Sequence, residues 1–328
     1  MEHLRRMQAG DDVRTESLRA LGGLLLGIGV LVLLYRKTSF AEPWGDFAVF
    51  VALLLPALLL YGGGILAARS AEPRAWHSVW VVFGIVFVLS TLQQFLTLID
   101  GDVGAPLNVA WTFGVVAAIA VVAALFARVR FGWLLAGIAL TVSWFALWDQ
   151  ILEDGLGEDA GTFRGLAMVA ALLLFLAAFM LARRERTTLS EASELVTAGG
   201  LVFLLGAGII SLSGAIVAGI SGAIGPAGTG TESGGVEPSF FWDLVLLVGS
   251  VGLVGLGSLV SARGPMYVGV LGIGIFITIV GADLDDDSPA GAVVGWPLIL
   301  LLVGVAAVAA SGLGLKRSPL ASESRRDR

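Results

Sequence analysis

The sequence predicts an all-α fold, a polytopic integral membrane helix bundle of about ten transmembrane helices with both termini in the cytoplasm. Of the 328 residues, 57% are hydrophobic and 14% are charged, whereas soluble domains carry about 25% charged residues. The apolar residues fall into runs that are long enough to cross a bilayer as helices. The basic residues are concentrated in alternate connections between these runs, as expected when successive spans run in opposite directions.

Ten apolar runs follow one another along the chain, and a helix needs about 20 apolar residues to cross the hydrocarbon core of a bilayer. A polar segment precedes the first run and another follows the last. We therefore divide the chain into a cytoplasmic N-terminal segment (1–18), a transmembrane bundle (19–315) and a cytoplasmic tail (316–328). The predicted spans are 19–35, 47–67, 78–100, 107–127, 131–152, 164–182, 195–220, 240–261, 266–282 and 292–315.

The charged residues support this span count independently of the hydrophobic runs. With the N-terminus inside, 17 of the 20 Lys and Arg residues fall on the cytoplasmic side, and 16 of the 26 Asp and Glu residues fall outside. Cytoplasmic connections of membrane proteins carry such an excess of basic residues. A missed span would invert every later connection and destroy the segregation. The basic residues left outside are Arg36, Lys37 and Arg164.

Three local features modify the predicted bundle. Residues 221–239, between the seventh and eighth spans, are rich in Gly, Ser and Thr, which predicts a flexible outer loop. Pro56 lies in the middle of the second span and lacks the N–H that would continue the helix ladder, so we expect a kink there. On the eighth span, Gly252 and Gly255 predict a surface at which another helix packs closely.

Several classes of site are excluded by the residues that the chain lacks. It has no cysteine, so disulfides, thiolate nucleophiles and Cys-ligated metals are impossible. Its two histidines, His3 and His77, fall in hydrophilic segments, which excludes a histidine relay, a haem or a zinc site within the membrane. The two lysines, Lys37 and Lys316, lie outside the spans, which excludes a retinal Schiff base. We expect no cofactor, no enzymatic activity and no nucleic-acid partner.

The third span carries the most polar stretch of the chain. Ser90, Gln94 and Thr97 share one face at helical spacing. Polar side chains within a membrane are costly, so they usually face protein or water rather than lipid. One interpretation is a path for a substrate or an ion. The other is hydrogen bonding between helices, which contributes about 0.6–2 kcal/mol per contact.

The fifth span ends with a second polar group, which consists of Asp149, Gln150 and Glu153. Asp149 and Glu153 lie one helical turn apart and share a face. Such a carboxylate pair could bind a cation, or take up a proton if one carboxylate raises the pKa of the other. The alternative is a solvated acidic cluster at the membrane surface, next to Trp144 and Trp148 as interface anchors.

Other acidic residues lie in the outer connections. Asp100 and Asp102, and the cluster from Asp283 to Asp287, have a spacing that can hold a divalent cation. An outer-face transferase would use such a metal, although a solvated acidic loop explains the pattern more simply. Asp243 lies beside Trp242 at the outer start of the eighth span, where a negative charge also complements the helix dipole.

These features favour a secondary transporter or permease for a small solute or cation, located in the lipid bilayer of a prokaryotic cytoplasmic membrane. In this hypothesis Gln94 binds polar groups of the substrate and Asp149 couples transport to a cation or proton. The alternative is a non-catalytic membrane scaffold or assembly subunit, in which the polar side chains only join helices. Compact loops and an abundance of Ala, Gly, Val and Leu favour the prokaryotic membrane.

Overall fold

The computed structural model describes residues 18–33, 44–70, 75–152, 155–156, 160–183, 189–209 and 240–282, and within these ranges all regular structure is helical. Seven helices are uninterrupted α-helices. Two more, α2 and α7, each contain a π-helical turn. The seven are α1 Leu18–Leu33, α3 Ala75–Leu98, α4 Pro106–Ala127, α5 Phe131–Ile151, α6 Ala160–Ala182, α8 Phe240–Val260 and α9 Arg263–Ala282.

The two interrupted helices differ in where the π turn lies. In α2, an α-helix at Asp46–Ala57 passes into a π turn at Leu58–Gly62 and continues as an α-helix at Gly63–Ser70. In α7, an α-helix at Leu189–Leu204 is followed by a π turn at Leu205–Ile209. Pro56 lies two residues before Leu58, where the first π turn begins, so the helix becomes irregular next to the position at which the sequence predicts a kink.

The described helices correspond in order to the first nine predicted spans. Seven of them, α2 to α8, are long and apolar enough to cross a membrane, while α1 and the apolar part of α9, Arg263–Ile279, are shorter. The tenth predicted span (292–315), the predicted outer loop (221–239) and most of both terminal segments lie outside the described residues. The count of ten and the orientation of the bundle therefore stay predictions.

The distribution of side-chain sizes in α6 is that of a helix in lipid. Ala167, Ala170 and Ala171 are buried, whereas Leu172 and Met180 are 67% and 62% exposed. Water would disfavour large apolar side chains on the outside, but lipid solvates them, and small residues inside let helices approach closely. The same arrangement recurs around the described bundle, and it is typical of a multi-pass integral membrane protein.

An alanine-rich core joins α2, α3, α4 and α5. Val81 and Ile85 of α3 pack there with small residues of α4, which include Ala117, Ala120 and Ala123. The most extensive packing is between α4 and α5, where a Cβ added at Gly132 would lie 2.8 Å from the carbonyl oxygen of Ala120. Small residues thus set the spacing of this hairpin.

One prediction about a histidine is wrong. His77 does not lie in a hydrophilic segment: it belongs to the first turn of α3 and is 1% exposed. Its ring centroid lies 3.9 Å from that of Trp76. The helix begins before the apolar run because Trp76 and Trp80 contact each other edge to face and extend the packed surface.

The helices divide between two compact units. All described residues up to Ile273 belong to the first unit, and the described residues from Gly274 onward belong to the second. The sites considered below lie within the first unit.

Candidate functional site

The polar side chains predicted on the third span bond mainly to protein. Ser90 Oγ donates to the carbonyl oxygen of Val86 (3.1 Å), and Thr97 Oγ1 donates to that of Gln93 (3.3 Å). Ser and Thr side chains in membrane helices often bond to the preceding turn in this way. Gln94 is different, because it reaches another helix.

The Gln94 amide joins α3 to the start of α2. Its Nε2 lies 3.3 Å from Asp46 Oδ1 and 3.4 Å from the carbonyl oxygen of Asp46. Phe50 and Phe95 lie beside this link, with ring centroids 6.3 Å apart. The amide thus makes the kind of interhelical bond that the sequence left as an alternative to a substrate path.

The polar residues at the end of α5 organise a turn. Asp149 Oδ1 accepts a hydrogen bond of 2.9 Å from the backbone N–H of Leu156. This bond holds the chain after the helix, where Gly155 has a φ of +74°. Gln150 is exposed, and Glu153 lies outside the described residues. The predicted substrate or ion path stays a prediction for all of its residues, which are Ser90, Gln94, Thr97, Asp149, Gln150 and Glu153.

The turn after α3 contains the first pair of aspartates. Asp102 Oδ1 accepts a hydrogen bond of 2.8 Å from the N–H of Gly104, and Asn108 Nδ2 donates to the carbonyl oxygen of Asp102 at 2.7 Å. One carboxylate oxygen therefore stabilises the turn. Within the described ranges, no three His, Asp or Glu side chains group as metal ligands would, and the cluster from Asp283 to Asp287 lies outside them.

A pair of buried charges, Arg164 and Asp243, lies elsewhere in the bundle. Arg164 belongs to α6 and is only 3% exposed, and Asp243 of α8 is 8% exposed. The two side chains interact electrostatically. The guanidinium carbon of Arg164 also lies 5.4 Å from the centroid of the Trp242 ring. We call Arg164, Trp242 and Asp243 the charge site.

The sequence predicts both residues at the outer ends of their spans, and the structure shows that both side chains are buried. Helix α6 begins at Ala160, before the apolar run, so Arg164 lies in its second turn rather than at its first residue. Asp243 is in the first turn of α8 but is covered by the bundle. Two features of the sequence could have indicated this pair. Arg164 is a single basic residue among acidic ones, and Trp242 adjoins Asp243.

Physical chemistry requires these two charges to be close together. An isolated charge in a low-dielectric interior loses several kcal/mol of hydration, which an opposite charge and hydrogen bonds can offset. The face of an indole ring also attracts a guanidinium. At the start of α8 the carboxylate further gains from the positive end of the helix dipole. The opposite charge, the indole ring and the helix dipole thus each stabilise a charge that the membrane disfavours.

The π turn of α7 lies against the charge site. A Cβ added at Gly206 would be 2.6 Å from Ala167 Cβ and 3.6 Å from the carbonyl oxygen of Arg164. The absence of a side chain at Gly206 therefore lets α7 approach the first turns of α6. π turns within helices are frequent at functional sites.

Helix α8 contains a second buried polar side chain, that of Ser250. Ser250 lies seven residues after Asp243, on the same face of the helix, and it is 0% exposed. Its Oγ has no hydrogen-bond partner among the described residues. It contacts the backbone position of Gly272 on α9, where Leu204 also packs. An unsatisfied buried hydroxyl normally costs about 1–3 kcal/mol, so its presence calls for an explanation.

A second charge link lies at the opposite end of α7. Half-buried Glu194 interacts electrostatically with Arg130, which is exposed in the turn between α4 and α5. This link is more accessible than the charge site. It therefore provides a natural control for experiments on the buried pair.

Comparison with known proteins does not extend this description. No protein-family model matches the chain, and no curated protein or solved structure matches it. Function therefore has to be inferred from the site itself.

Proposed function

We propose that the protein is a secondary transporter or permease for a small solute or cation, and that the charge site couples its conformational change to a cation or proton. The observation that supports this proposal is the burial of Arg164 and Asp243 inside an apolar bundle. Ionisable residues within membrane spans are rare and commonly mark pathways for substrates, ions or protons.

The proposed role of each group follows from its charge. A proton or cation at Asp243 would neutralise the partner of Arg164 and weaken the attraction between α6 and α8. Ser250, farther along α8, would offer a hydroxyl to the same path. The π turn beside Arg164 would be the part of α7 that changes its backbone bonding most easily. An excess of acidic residues outside would raise the local cation concentration.

The residues predicted from the sequence also have a role in this proposal. Gln94 and Asp149 would lie along the entrance rather than at the coupling site, because each already bonds to protein. Asp149→Asn tests this placement: transport should persist in the variant, whereas loss of coupling would assign the central role to Asp149.

The alternative function is a non-catalytic membrane scaffold or assembly subunit. A specific observation favours it: Ser90, Gln94 and Thr97 all bond to the protein backbone or to a neighbouring helix. A scaffold needs no water path. In that case the charge site would only fix the positions of α6 and α8.

Thiol accessibility tests the two functions against each other. The chain has no cysteine, so single-cysteine variants need no background removal. We would place cysteine at Ala167 and Ser250, with Ala123 of the alanine core as the control; all three side chains are 0% exposed. Small water-soluble thiol reagents would be added separately to each side of the membrane. Positions 94 and 149 would be labelled in parallel.

If the protein is a transporter, cysteines at 167 and 250 should react with reagent added to either side of the membrane, because the site opens to each side in turn. The cysteine at 123 should be protected. Asp243→Asn should change the labelling rate at 250. Protection at 167, 250 and 123 alike would overturn the proposal and favour the scaffold.

A further inference from the structure

An open apolar groove of about 560 Å³ lies among α6, α7 and α8. Its volume is in the range of about 300–1,000 Å³ that is typical of small-molecule sites. Nearly all of its lining is hydrocarbon. The residues that shape it include Phe175, Phe179, Val196, Phe203, Gly252 and Leu256.

The groove lies at the opposite end of these helices from the charge site. Its lining comes from α6 between Phe175 and Ala182, from α7 between Leu189 and Phe203, and from α8 between Gly249 and Val260. The distribution of charges predicts that this end faces the cytoplasm. The lining includes none of Arg164, Trp242 and Asp243, although Gly249 adjoins Ser250 in the chain.

Gly252 keeps the groove open. A Cβ built at Gly252 or at Gly255 would meet no atom within 4 Å in the described part of the chain. The close packing surface predicted at this pair stays a prediction, because the predicted tenth span lies outside the described residues. Gly252 lines the groove.

A cation lies at the rim of the groove. Arg183 follows the last residue of α6 and is exposed, and its guanidinium carbon lies 4.3 Å from the centroid of the Phe179 ring. Phe179 also lines the groove. Of the acidic side chains at this end of α7, Glu194 already interacts with Arg130. The site thus combines a hydrocarbon cavity with a positive charge at its mouth.

We propose that this groove binds an acyl chain of an anionic glycerophospholipid, and that Arg183 holds the headgroup phosphate. A groove open to the bilayer is filled by hydrocarbon chains, and guanidinium groups bind phosphate through strong charge-assisted hydrogen bonds. The cytoplasmic leaflet of a membrane is also the anionic one. The cation, cavity and predicted leaflet therefore match one class of lipid.

Spin-labelled lipids test the proposal in reconstituted vesicles. The probes are phosphatidylglycerol and phosphatidylcholine, each labelled on an acyl chain, and electron paramagnetic resonance measures the motionally restricted fraction. The wild-type protein should show a saturable restricted component with a preference for phosphatidylglycerol. Gly252→Phe should abolish that component by filling the groove. Gly255→Phe should retain it, because this position also faces open space but does not belong to the groove lining.

The headgroup contact is tested separately with Arg183→Gln at an exposed position. The variant should still restrict acyl chains, but its preference for phosphatidylglycerol should fall by about fivefold, as expected for one basic residue near an anionic surface. Thermal denaturation of each variant checks that the fold is retained.

Three results would overturn the proposal. A saturable component in Gly252→Phe equal to that of wild type would show that lipid binds elsewhere. An unchanged headgroup preference in Arg183→Gln would remove the role of Arg183. Disulfide-linked dimers formed through a single cysteine at position 252 would identify a second copy of the chain as the occupant.

Discussion

The two π turns in the described helices have the same backbone irregularity in different surroundings. The turn in α2 follows a proline and packs against apolar groups, and its Tyr61 Oη donates a 2.8 Å hydrogen bond to the carbonyl oxygen of Ile119. The turn in α7 contains no proline and adjoins Arg164. Proline chemistry and packing account for the first turn, whereas the second turn lies beside a buried charge and has no proline. A π turn therefore indicates function only together with its neighbours.

The largest expected effect concerns the charge site. Asp243→Asn leaves Arg164 buried without its negative partner, and the loss of one partner of a buried ion pair typically destabilises by about 3–5 kcal/mol. Unfolding by SDS titration would measure the loss. Glu194→Gln is the matched control, and because its pair is partly exposed it should cost about 1 kcal/mol or less.

A double variant separates a structural pair from a coupling site. Arg164→Gln combined with Asp243→Asn removes both charges and should recover most of the stability lost in the single variant. Under the transporter proposal, this stable double variant should still lose side-dependent thiol labelling at position 250. Labelling of position 250 as in the protein with both charges would show that the pair has only a structural role. Neither π turn would then be linked to function.

The next effect concerns the packing of the α2 turn. A Cβ at Gly84 would lie 2.5 Å from the backbone nitrogen of Tyr61, so Gly84→Ala should force α3 away from the π turn and destabilise by about 1–3 kcal/mol. Gly62→Ala is the control, because its added Cβ meets no described atom within 4 Å. Equal stability of the two variants would show that the α2 turn does not depend on this close contact.

A smaller effect is expected for the tyrosine hydroxyl. Tyr61→Phe removes the bond to the carbonyl oxygen of Ile119 but keeps the ring, so it should cost about 1 kcal/mol in the same titration. Thiol labelling elsewhere in the bundle should not change. A change in labelling at position 250 would mean that the first π turn also takes part in function.

The smallest effect is expected at Gln94. Replacing it with leucine removes the link to Asp46, and interhelical hydrogen bonds in membranes average about 0.6 kcal/mol. A combined Gln94→Leu and Asp46→Ala variant would measure the coupling between the two side chains. Loss of transport without loss of stability would instead assign Gln94 to the substrate path.

The helices themselves were predictable because lipid imposes a simple rule on the sequence. A run of apolar residues of sufficient length marks each described helix, and α4 and α5 agree with their predicted spans to within a residue. The largest disagreements lie at helix starts, and α7 begins at Leu189 rather than at 195. Helix α6 begins at Ala160 rather than at 164, and α3 begins at Ala75 rather than at 78, since polar and aromatic residues continue a helix whenever neighbours cover them.

The charge site was harder to predict than the helices. Hydropathy does not show whether a charge at the end of an apolar run is buried, and Arg164 and Asp243 both stand near the start of a predicted span. Their burial depends on contacts between helices that are far apart in the sequence, and no local pattern encodes those contacts. The polar stripe on α3 was visible in the sequence, but its bonding partner Asp46 was not, for the same reason.

The contact between α1 and α3 has a consequence for the order in which the chain is assembled. The rings of Trp80 and Phe83 pack against Gly23 and Gly27 of α1. Trp80 Nε1 also donates a hydrogen bond to the carbonyl oxygen of Arg19, 61 residues earlier. During synthesis α1 therefore enters the bilayer well before its partner exists. Membrane helices insert first and associate afterwards, so α1 has to be in lipid before its contact with α3 can form.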